Sequence, residues 1–220
     1  MIVVAIDGPA GSGKSSVARA VAAQLGFGFL DTGAAYRALT WWALDRGIDL
    51  SDEDAIAALL DSFPYSISLD PVSERVAVGD VDVTAKIRDP RISLAVSAVA
   101  QNLRVREWMK DSARRLATTS GFPGVVAEGR DMTTVVFPDS STRILLTARE
   151  EVRIVRRAGE VAGRDLAETT ASVRERDAKD SNVVDFFTAA PGVTVVDSSD
   201  INFSDTVSAI VDIVRAGSDL

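Results

Sequence analysis

Short apolar runs alternate with longer helical patterns along this chain. The apolar runs predict strands at Ile2–Ile6, Gly28–Asp31, Val125–Glu128, Arg143–Thr147 and Val193–Asp197. Between them, apolar residues recur at every third or fourth position, as in a helix with one buried face. Strands that are separated by helices are typical of a parallel sheet covered on both sides. We therefore predict an α/β fold with a five-stranded parallel sheet and helices on both faces.

The predicted helices differ in how clearly their ends are marked. Ser15–Leu25 and Ala34–Arg46 are each followed by a glycine, which commonly ends a helix. Ser51 and Asp54 have the spacing of a capping box at the start of a short helix. The remaining helices are predicted over residues 89–102, 105–118, 150–161 and 166–176 and around 207–214.

The pattern changes between residues 63 and 84. Tyr65–Leu69, Arg75–Val78 and Val81–Val83 alternate or run apolar, and turn sequences separate them. This pattern predicts a small antiparallel sheet. Because helical segments lie on either side of it, we expect an insert on the α/β core.

Cys and His are both absent from the 220 residues. Without Cys, disulfides, iron–sulfur clusters and thiol nucleophiles are excluded. Without His, there is no Ser–His–Asp triad and no imidazole base or metal ligand. Twenty of the 24 basic residues are Arg, whose planar guanidinium suits phosphate. Any chemistry must therefore rest on carboxylates, hydroxyls, Lys, Arg and backbone amides.

The net charge is −8, which argues against binding to nucleic acid or to an anionic membrane surface. The apolar run at the N-terminus is too short for a signal sequence or a membrane span. No oligomer signature is visible. We therefore expect a cytoplasmic monomer with no nucleic-acid partner and no membrane partner.

The segment Gly8-Pro-Ala-Gly-Ser-Gly-Lys-Ser15 matches the phosphate-loop pattern G-x-x-x-x-G-K-[ST] without a mismatch. It follows a predicted strand and opens a predicted helix, which is the context that the pattern requires. Lys14 is expected to reach the β- and γ-phosphates, and the Ser15 hydroxyl is the candidate Mg²⁺ ligand. The fold is thus predicted to be a P-loop NTPase core. The candidate nucleotide-binding residues are Gly8, Pro9, Ala10, Gly11, Ser12, Gly13, Lys14, Ser15 and Ser16.

Two further polar segments follow predicted strands. Asp31-Thr-Gly-Ala-Ala-Tyr-Arg37 places hydroxyls, backbone amides and a guanidinium at a helix start, as a second anion site requires. Alternatively, Thr32 only caps that helix and Arg37 is solvated. In Glu128-Gly-Arg-Asp131, Glu128 could hold Mg²⁺ through water, Arg130 could bind a phosphate and Asp131 could accept a hydrogen bond from an exocyclic amine. Alternatively, the segment is a charged turn. Whether Glu128 or Asp31 holds the metal-bound water is open.

Three segments together resemble the bacterial cytidylate kinases: the loop at residues 8–16, Leu30–Arg37 and Val126–Asp139. The last is the most specific to the family. The resemblance covers nearly the whole chain and implies Mg²⁺-dependent phosphoryl transfer from ATP to CMP or dCMP. It implies a core of residues 1–33, 120–148 and 190–220, an acceptor-binding region with the β insert at 34–119, and a lid at 149–189.

The resemblance also implies residue roles. The acceptor phosphate would be held by Thr32, Tyr36, Arg37 and Arg130, and the cytosine would be read by Ser97, Arg106 and Asp131. Arg176 and Asp180 would contact the sugar and the transferring phosphate. The catalytic residues would be Lys14, Arg130, Arg153, Arg157 and Arg176.

The chemistry of the base supports two of these roles. Cytosine presents an N4 amine that a carboxylate such as Asp131 can accept from, and its N3 and O2 can accept from Arg106. Uracil has a carbonyl in place of the amine, which would leave the carboxylate poorly paired. We therefore expect CMP to be preferred over UMP by roughly 10²-fold or more.

Arginines 149, 153, 156 and 157 form a basic stripe on one helix face. Like charges at this spacing repel, so the stripe suits a lid that closes on an anion. Alternatively, the stripe is a solvated face, in which Glu150 pairs with Arg153 and Glu160 pairs with Arg156 and Arg157. Arg176 and Asp180 are four residues apart and could form a plain surface ion pair.

One position departs from the family pattern. The family usually reads Arg-Asp-x-x-Asp-Ser-x-Arg, whereas Val183 stands at the last position here. The change removes one cation from the expected phosphate cluster. Two other functions remain open, namely a small-metabolite kinase on the same core and a regulator that binds ATP without turnover.

Overall fold

The structure is a computed structural model that describes residues 1–160, 166–181 and 184–217. Its strands are β1 (Ile2–Asp7), β2 (Gly28–Asp31), β3 (Tyr65–Ile67), β4 (Val76–Val78), β5 (Val81–Asp82), β6 (Gly124–Gly129), β7 (Thr142–Thr147) and β8 (Thr194–Asp197). Its helices are α1 (Lys14–Leu25), α2 (Thr32–Asp45), α3 (Glu53–Leu59), α4 (Pro90–Gln101), α5 (Leu103–Thr118), α6 (Glu150–Glu160), α7 (Leu166–Ser181) and α8 (Phe203–Gly217).

The main sheet is parallel and has the order β2-β6-β1-β7-β8. The prediction of a five-stranded parallel sheet is therefore confirmed. In register, Ile6 lies beside Glu128, and Glu128 lies beside Asp31. Because all these strands run the same way, their carboxyl ends bring Asp7, Asp31 and Glu128 to one edge, where α/β proteins bind ligands.

Apolar side chains cover both faces of the sheet. Val4, Ile6 and Ile144 pack against α1 and α8 on one side, while Ala5, Val125 and neighbouring residues pack against α5 on the other. This explains why β1, β2, β6 and β7 read as nearly continuous apolar runs, since most of their residues are buried, whereas the edge strand β8 is largely exposed.

The strands β3, β4 and β5 form a separate antiparallel sheet, as predicted for the insert. A second apolar cluster joins this sheet to α2 and α5. Within it, the Phe63 ring stacks on Trp42 and Tyr65 at centroid distances of 5.2 and 5.5 Å. The insert thus has its own packing contact with the helix that follows β2.

Several local predictions were wrong. Asp52, not Ser51, caps α3, because the Asp52 carboxylate accepts from the backbone N–H of Ala55 while the Ser51 hydroxyl donates to Asp49. Helix α7 runs to Ser181, five residues beyond its predicted end. The structure also contains a π-helical turn at Met132–Val136 that was not predicted. Val183 lies outside the described residues.

Within the described ranges, no helix combines the length and the apolar character that crossing a bilayer requires.

Candidate active site

The phosphate loop connects β1 to α1 and opens onto a cavity of about 1100 Å³. Gly13 precedes α1 with φ of 84°, a left-handed conformation that favours glycine. The cavity wall also includes parts of α2, α4, β6 and α7. Donor and acceptor segments therefore face one space.

Most of the residues singled out in the sequence line this cavity. They are Ala10, Gly11, Gly13, Lys14, Ser15, Ser16, Thr32, Tyr36, Arg37, Ser97, Arg106, Arg130, Asp131, Arg157, Arg176 and Asp180. Gly8, Pro9, Ser12 and Arg153 do not line it.

Glu128 joins the phosphate loop to the end of β6. Its Oε1 accepts from the Ser15 hydroxyl at 2.6 Å, and its Oε2 lies 4.0 Å from Lys14 Nζ. Burial and the nearby Asp31 raise the pKa of the Glu128 carboxyl, while Lys14 and Ser15 oppose that rise. The carboxylate thus faces the same hydroxyl that the phosphate-loop pattern assigns to a metal ion.

Both carboxylate oxygens of Asp31 accept hydrogen bonds from groups outside the phosphate loop. Its Oδ1 accepts from the backbone N–H of Ala34 at 2.8 Å, and its Oδ2 accepts from Arg37 at 2.9 Å and Arg88 at 3.0 Å. Burial opposes ionisation, but the two guanidiniums and the helix N–H outweigh it and lower the pKa of Asp31 to about 2. Of the two candidate acids, Glu128 is the one with a carboxylate directed at the phosphate loop.

The simpler interpretation of the segment after β2 is wrong. Asp31, not Thr32, caps α2, and the Thr32 hydroxyl instead donates to the backbone carbonyl of Glu128 at 2.7 Å. Arg37 is buried rather than solvated.

Cations are concentrated where the phosphate loop meets this segment. Burial and the charges of Arg130 and Arg176 lower the pKa of Lys14 to about 8, although Glu128 opposes the shift. Burial, with Arg130, Arg37 and Arg157 nearby, likewise lowers the pKa of Arg176 to about 10. The carboxylates of Glu128, Asp31 and Asp180 partly offset the positive charge of this cluster.

Three guanidinium nitrogens in this cluster have no hydrogen-bond acceptor within the described part of the chain. They are buried Arg37 Nε, Arg130 Nη2 and Arg176 Nε. Arg176 Nε lies 3.7 Å from Asp180, so the predicted ion pair exists but is longer than a hydrogen bond. Buried donors without acceptors point to an absent ligand with acceptor oxygens.

Contacts on several sides fix the position of Arg130. Its Nη1 donates to the carbonyl of Gly8, and its Nε donates to Asp180 at 3.1 Å. The ring of Phe186 lies 4.5 Å below the guanidinium carbon. Asp180 also accepts from the Ser97 hydroxyl at 3.1 Å, so α4 and α7 are linked across the cavity.

Arg106 and Asp131 are in direct contact, with Nη2 of the first donating to Oδ2 of the second. Burial raises the pKa of the Asp131 carboxyl, and Arg106 opposes the rise. Asp7 holds the backbone that follows, because it accepts from the N–H groups of Met132 and Thr133, each at 2.8 Å. Asp131 therefore precedes a turn that is anchored at the end of β1, and Arg106 reaches it from α5.

Three members of the basic stripe, Arg149 just before α6 and Arg153 and Arg156 on it, have partners inside the protein. Arg149 makes two hydrogen bonds to Asp200, Arg153 pairs with Asp177, and Arg156 donates to Ser198. Glu150 pairs with Arg174, not with Arg153. The expected pairing of Glu160 with Arg156 and Arg157 stays a prediction, because the Glu160 side chain lies outside the described part of the structure. Only the Arg157 position of the stripe lines the cavity.

Three residues with roles in the site were missed in the sequence. Arg88 joins Asp31 to Glu74 of the insert, Asp177 contacts the phosphate loop, and Asp7 anchors the turn after Asp131. Arg88 is a single charged residue outside the segments singled out, whereas Asp177 follows Arg176 in the family pattern but was given no role of its own. Asp7 ends an apolar strand, as Asp31 and Glu128 do, and that shared position was the available signal.

Comparisons with known proteins agree with this geometry. A sequence model of the family described as cytidylate kinase matches residues 4–216. The chain is 42% identical over 215 residues to a cytidylate kinase of Streptomyces avermitilis, with 97% of this chain and 93% of that protein covered. It is 43% identical over 216 residues to one of Cutibacterium acnes, with 97% and 96% covered.

A solved structure of an uncharacterised protein from Eubacterium ventriosum aligns with a TM-score of 0.55 at 12% identity, covering 98% of this chain and 99% of that one. This likeness concerns the fold alone. The match of the family model over nearly the whole chain, together with relatives above 40% identity, establishes that the chain belongs to the cytidylate kinase family.

Proposed function

We propose that the protein transfers the γ-phosphoryl group of ATP to CMP or dCMP, giving ADP and CDP or dCDP. The observation that carries the proposal is the buried cation cluster of Lys14, Arg37, Arg130 and Arg176, with three donors that lack acceptors. The cluster lies where the phosphate loop and the segment after β2 converge. Phosphate oxygens brought together there would accept hydrogen bonds from these donors.

The donor phosphates are assigned to the loop. Its backbone N–H groups and the start of α1 favour an anion, and Lys14 supplies a point charge. A cation at this position lowers the repulsion between the two phosphates and neutralises charge that develops on the transferring group.

The residues present fit Mg²⁺. No group of three or more acidic side chains that could hold a metal occurs in the described part of the chain. Mg²⁺, however, is ordinarily bound by one or two protein oxygens, water and substrate phosphates. The Ser15 hydroxyl and the Glu128 carboxylate, 2.6 Å apart, are suitable oxygens. When bound, the ion would neutralise phosphate charge, and these two residues would hold it directly or through water.

The acceptor phosphate is assigned to Arg37 and Arg130, with the Thr32 and Tyr36 hydroxyls beside them. This phosphate is itself the nucleophile and is ionised at neutral pH. The absence of His is therefore no obstacle, because no side chain has to remove a proton. Positioning and charge neutralisation suffice for the transfer.

The base is assigned to Ser97, Arg106 and Asp131. The Asp131 carboxylate would accept from the N4 amine of cytosine while Arg106 donates to N3 and O2. In the absence of nucleotide, the two side chains satisfy each other, so neither charge is left unpaired. Arg176, with Asp180, is assigned to the sugar and the transferring phosphate.

The remaining assignments concern the larger units. We assign residues 34–119 to acceptor binding and residues 149–189 to the lid, whose Arg157 and Arg176 line the cavity. The rest of the chain, residues 1–33, 120–148 and 190–220, forms the core. We expect the enzyme to act as a cytoplasmic monomer.

The proposal is tested by measuring ADP release from MgATP with CMP, dCMP, UMP, AMP and shikimate in turn. We expect turnover with CMP and dCMP. Turnover with shikimate alone would support a small-metabolite kinase. Binding of ATP with no turnover on any acceptor would contradict the proposal and favour a regulator.

A further inference from the structure

Helices α6 and α7 contact the phosphate loop at Ala10. The Ala10 methyl packs against Ile154 of α6 and Val173 of α7 in a small apolar cluster. Its backbone N–H donates to Asp177 Oδ1 at 3.0 Å, and its carbonyl accepts from Arg153 Nη1 at 2.8 Å. Both polar groups of one loop residue are therefore held by side chains of the two helices.

Arg153 and Asp177 also bind each other. Arg153 Nη1 donates to Asp177 Oδ2 at 2.6 Å, and the two side chains are only 6% and 8% exposed. The three hydrogen bonds form a closed arrangement around Ala10. A buried ion pair of this kind is favourable only if its members find further partners, and here Ala10 supplies them.

Arginines hold the loop at three alternate carbonyls. Arg130 donates to the carbonyl of Gly8, Arg153 to that of Ala10 and Arg156 to that of Ser12. A loop that surrounds an anion turns its N–H groups inward, so its carbonyls must find donors outside. The three guanidiniums meet that need.

The backbone of α6 lies directly against the loop. Gly11 has φ of 74°, and a side-chain carbon placed on it would lie 2.5 Å from the carbonyl oxygen of Arg153. No residue larger than glycine fits without a shift of the helix. The conformation of the loop is therefore tied to the position of α6.

We propose that Asp177 is a positioning residue for the phosphate loop, acting through Arg153 and the backbone of Ala10. Neither charged side chain lines the cavity, and their direct contacts with the loop are the hydrogen bonds at Ala10. Asp177 Oδ1 also lies 3.6 Å from Arg130 Nη2, a longer contact toward the acceptor site. This assignment changes the role of Arg153 from a direct phosphate ligand to a second positioning residue. It rests on the proposed function only in that the loop binds the donor phosphates.

The test compares Asp177→Asn with the unaltered protein. The amide keeps the size of the side chain but removes the charge and places a donor toward Arg153 or Ala10. Calorimetry is performed with MgADP and with inorganic triphosphate, and steady-state kinetics give KM for ATP and for CMP. We expect affinity for both ligands and the apparent affinity for ATP to fall about tenfold or more, since a buried charged hydrogen bond is lost. KM for CMP should change less than the affinity for MgADP, because the contact of Asp177 with Arg130 is, at 3.6 Å, longer than a hydrogen bond.

Glu150→Gln is the matched control. Glu150 forms an exposed ion pair with Arg174, which also joins α6 to α7 but does not touch the loop. We expect unchanged affinity for MgADP and inorganic triphosphate. If both variants weaken binding equally, the effect comes from general loosening of the two helices, and the positioning role is overturned.

Two conservative variants keep the proposal testable if Asp177→Asn does not fold. Asp177→Glu retains the carboxylate and should recover part of the affinity for ATP. Arg153→Lys retains the charge but cannot match the planar geometry of the guanidinium, so it should weaken MgADP binding with KM for CMP unchanged. Normal MgADP affinity in folded Arg153→Lys and Asp177→Glu alike would overturn the proposal. Failure of the unaltered protein to bind MgADP or triphosphate would instead overturn the proposed function.

Discussion

The Ser15 hydroxyl donates to Glu128 Oε1 at 2.6 Å across 113 positions of sequence. Ser15 lies in the first turn of α1, and Glu128 lies near the end of β6, which is the neighbour of β1 in the sheet. The parallel order of the strands therefore creates this contact. It brings an oxygen from the donor loop to a carboxylate beside the acceptor segment.

Glu128→Gln should impair use of the metal more than binding of the acceptor. The amide retains one acceptor oxygen but removes the charge that we assign to Mg²⁺. We expect the Mg²⁺ concentration for half-maximal rate to rise about tenfold and kcat to fall, with KM for CMP little changed. Titration of the rate with MgCl₂ at fixed free ATP measures the effect.

Glu151→Gln is the control for this change. Glu151 is an exposed acid at the start of α6, and its replacement should leave the Mg²⁺ dependence as it was. An unaltered Mg²⁺ titration in Glu128→Gln would remove Glu128 from the proposed metal site.

Affinity for nucleotide should depend on pH through Lys14. Burial and neighbouring arginines lower the pKa of Lys14 to about 8 in the ligand-free protein, and polyphosphate would raise it by favouring the charged form. Binding should therefore take up protons near pH 8 and weaken as the pH rises beyond that. Calorimetry with MgADP in buffers of different ionisation enthalpy measures the proton uptake.

Lys14→Met separates this contribution from that of other groups. The variant should bind MgADP weakly, with proton uptake near pH 8 much reduced. If it keeps the proton uptake of the unaltered protein, another group titrates on binding and the assignment to Lys14 is wrong.

Stability should depend on Asp31. Its carboxylate is buried between Arg37 and Arg88, and removing one member of a buried ion pair costs about 3 kcal/mol. Because its pKa is lowered from 3.8 to about 2, the stabilisation is complete above pH 4 and is lost as the pH falls toward 2. Asp31→Asn should lower the free energy of unfolding at pH 7 and flatten its acid dependence.

Urea unfolding at several pH values checks this prediction. Asp54→Asn, which breaks the exposed pair with Arg104, serves as the control and should leave the unfolding midpoint unchanged. Equal midpoints for Asp31→Asn and the unaltered protein would show that the Asp31 contacts add no net stability.

Much of the fold follows from patterns that are local in sequence. Continuous apolar runs identify the inner strands because both faces of the sheet are buried there, whereas β8 at the edge is largely exposed and its apolar run is only Val195 and Val196. The phosphate loop is readable because glycines and Lys14 have fixed spacing. The segments ending in Arg37 and Asp131 can be predicted as parts of the site because they follow strands whose carboxyl ends lie side by side.

Partners that are distant in sequence could not be predicted. The spacing of the arginines predicts a charged stripe, but the spacing does not reveal that Arg153 donates hydrogen bonds to Asp177 and to the carbonyl of Ala10. Arg88 joins the insert to Asp31 because of how the two sheets pack, which no local pattern encodes. The π-helical turn after Asp131 depends likewise on its hydrogen bonds to Asp7.

Asp131→Asn should relax the choice of base. The carboxylate can only accept a hydrogen bond, whereas an amide can also donate to the O4 carbonyl of uracil. We expect kcat/KM for CMP to fall at least tenfold while that for UMP falls less or rises. Glu107→Gln, next to Arg106 but on an exposed side chain, is the control and should keep the preference. A retained preference in Asp131→Asn would show that other residues read the base.

The most direct test of the account is a competition between CMP and UMP at equal concentration with limiting MgATP. Separation of the products by anion-exchange chromatography gives the ratio of CDP to UDP, which equals the ratio of the two kcat/KM values. We expect a ratio of CDP to UDP of about 100 or more, scaled from the cost of an unpaired buried polar group. A ratio near one, or ATP bound with neither diphosphate formed, would contradict it.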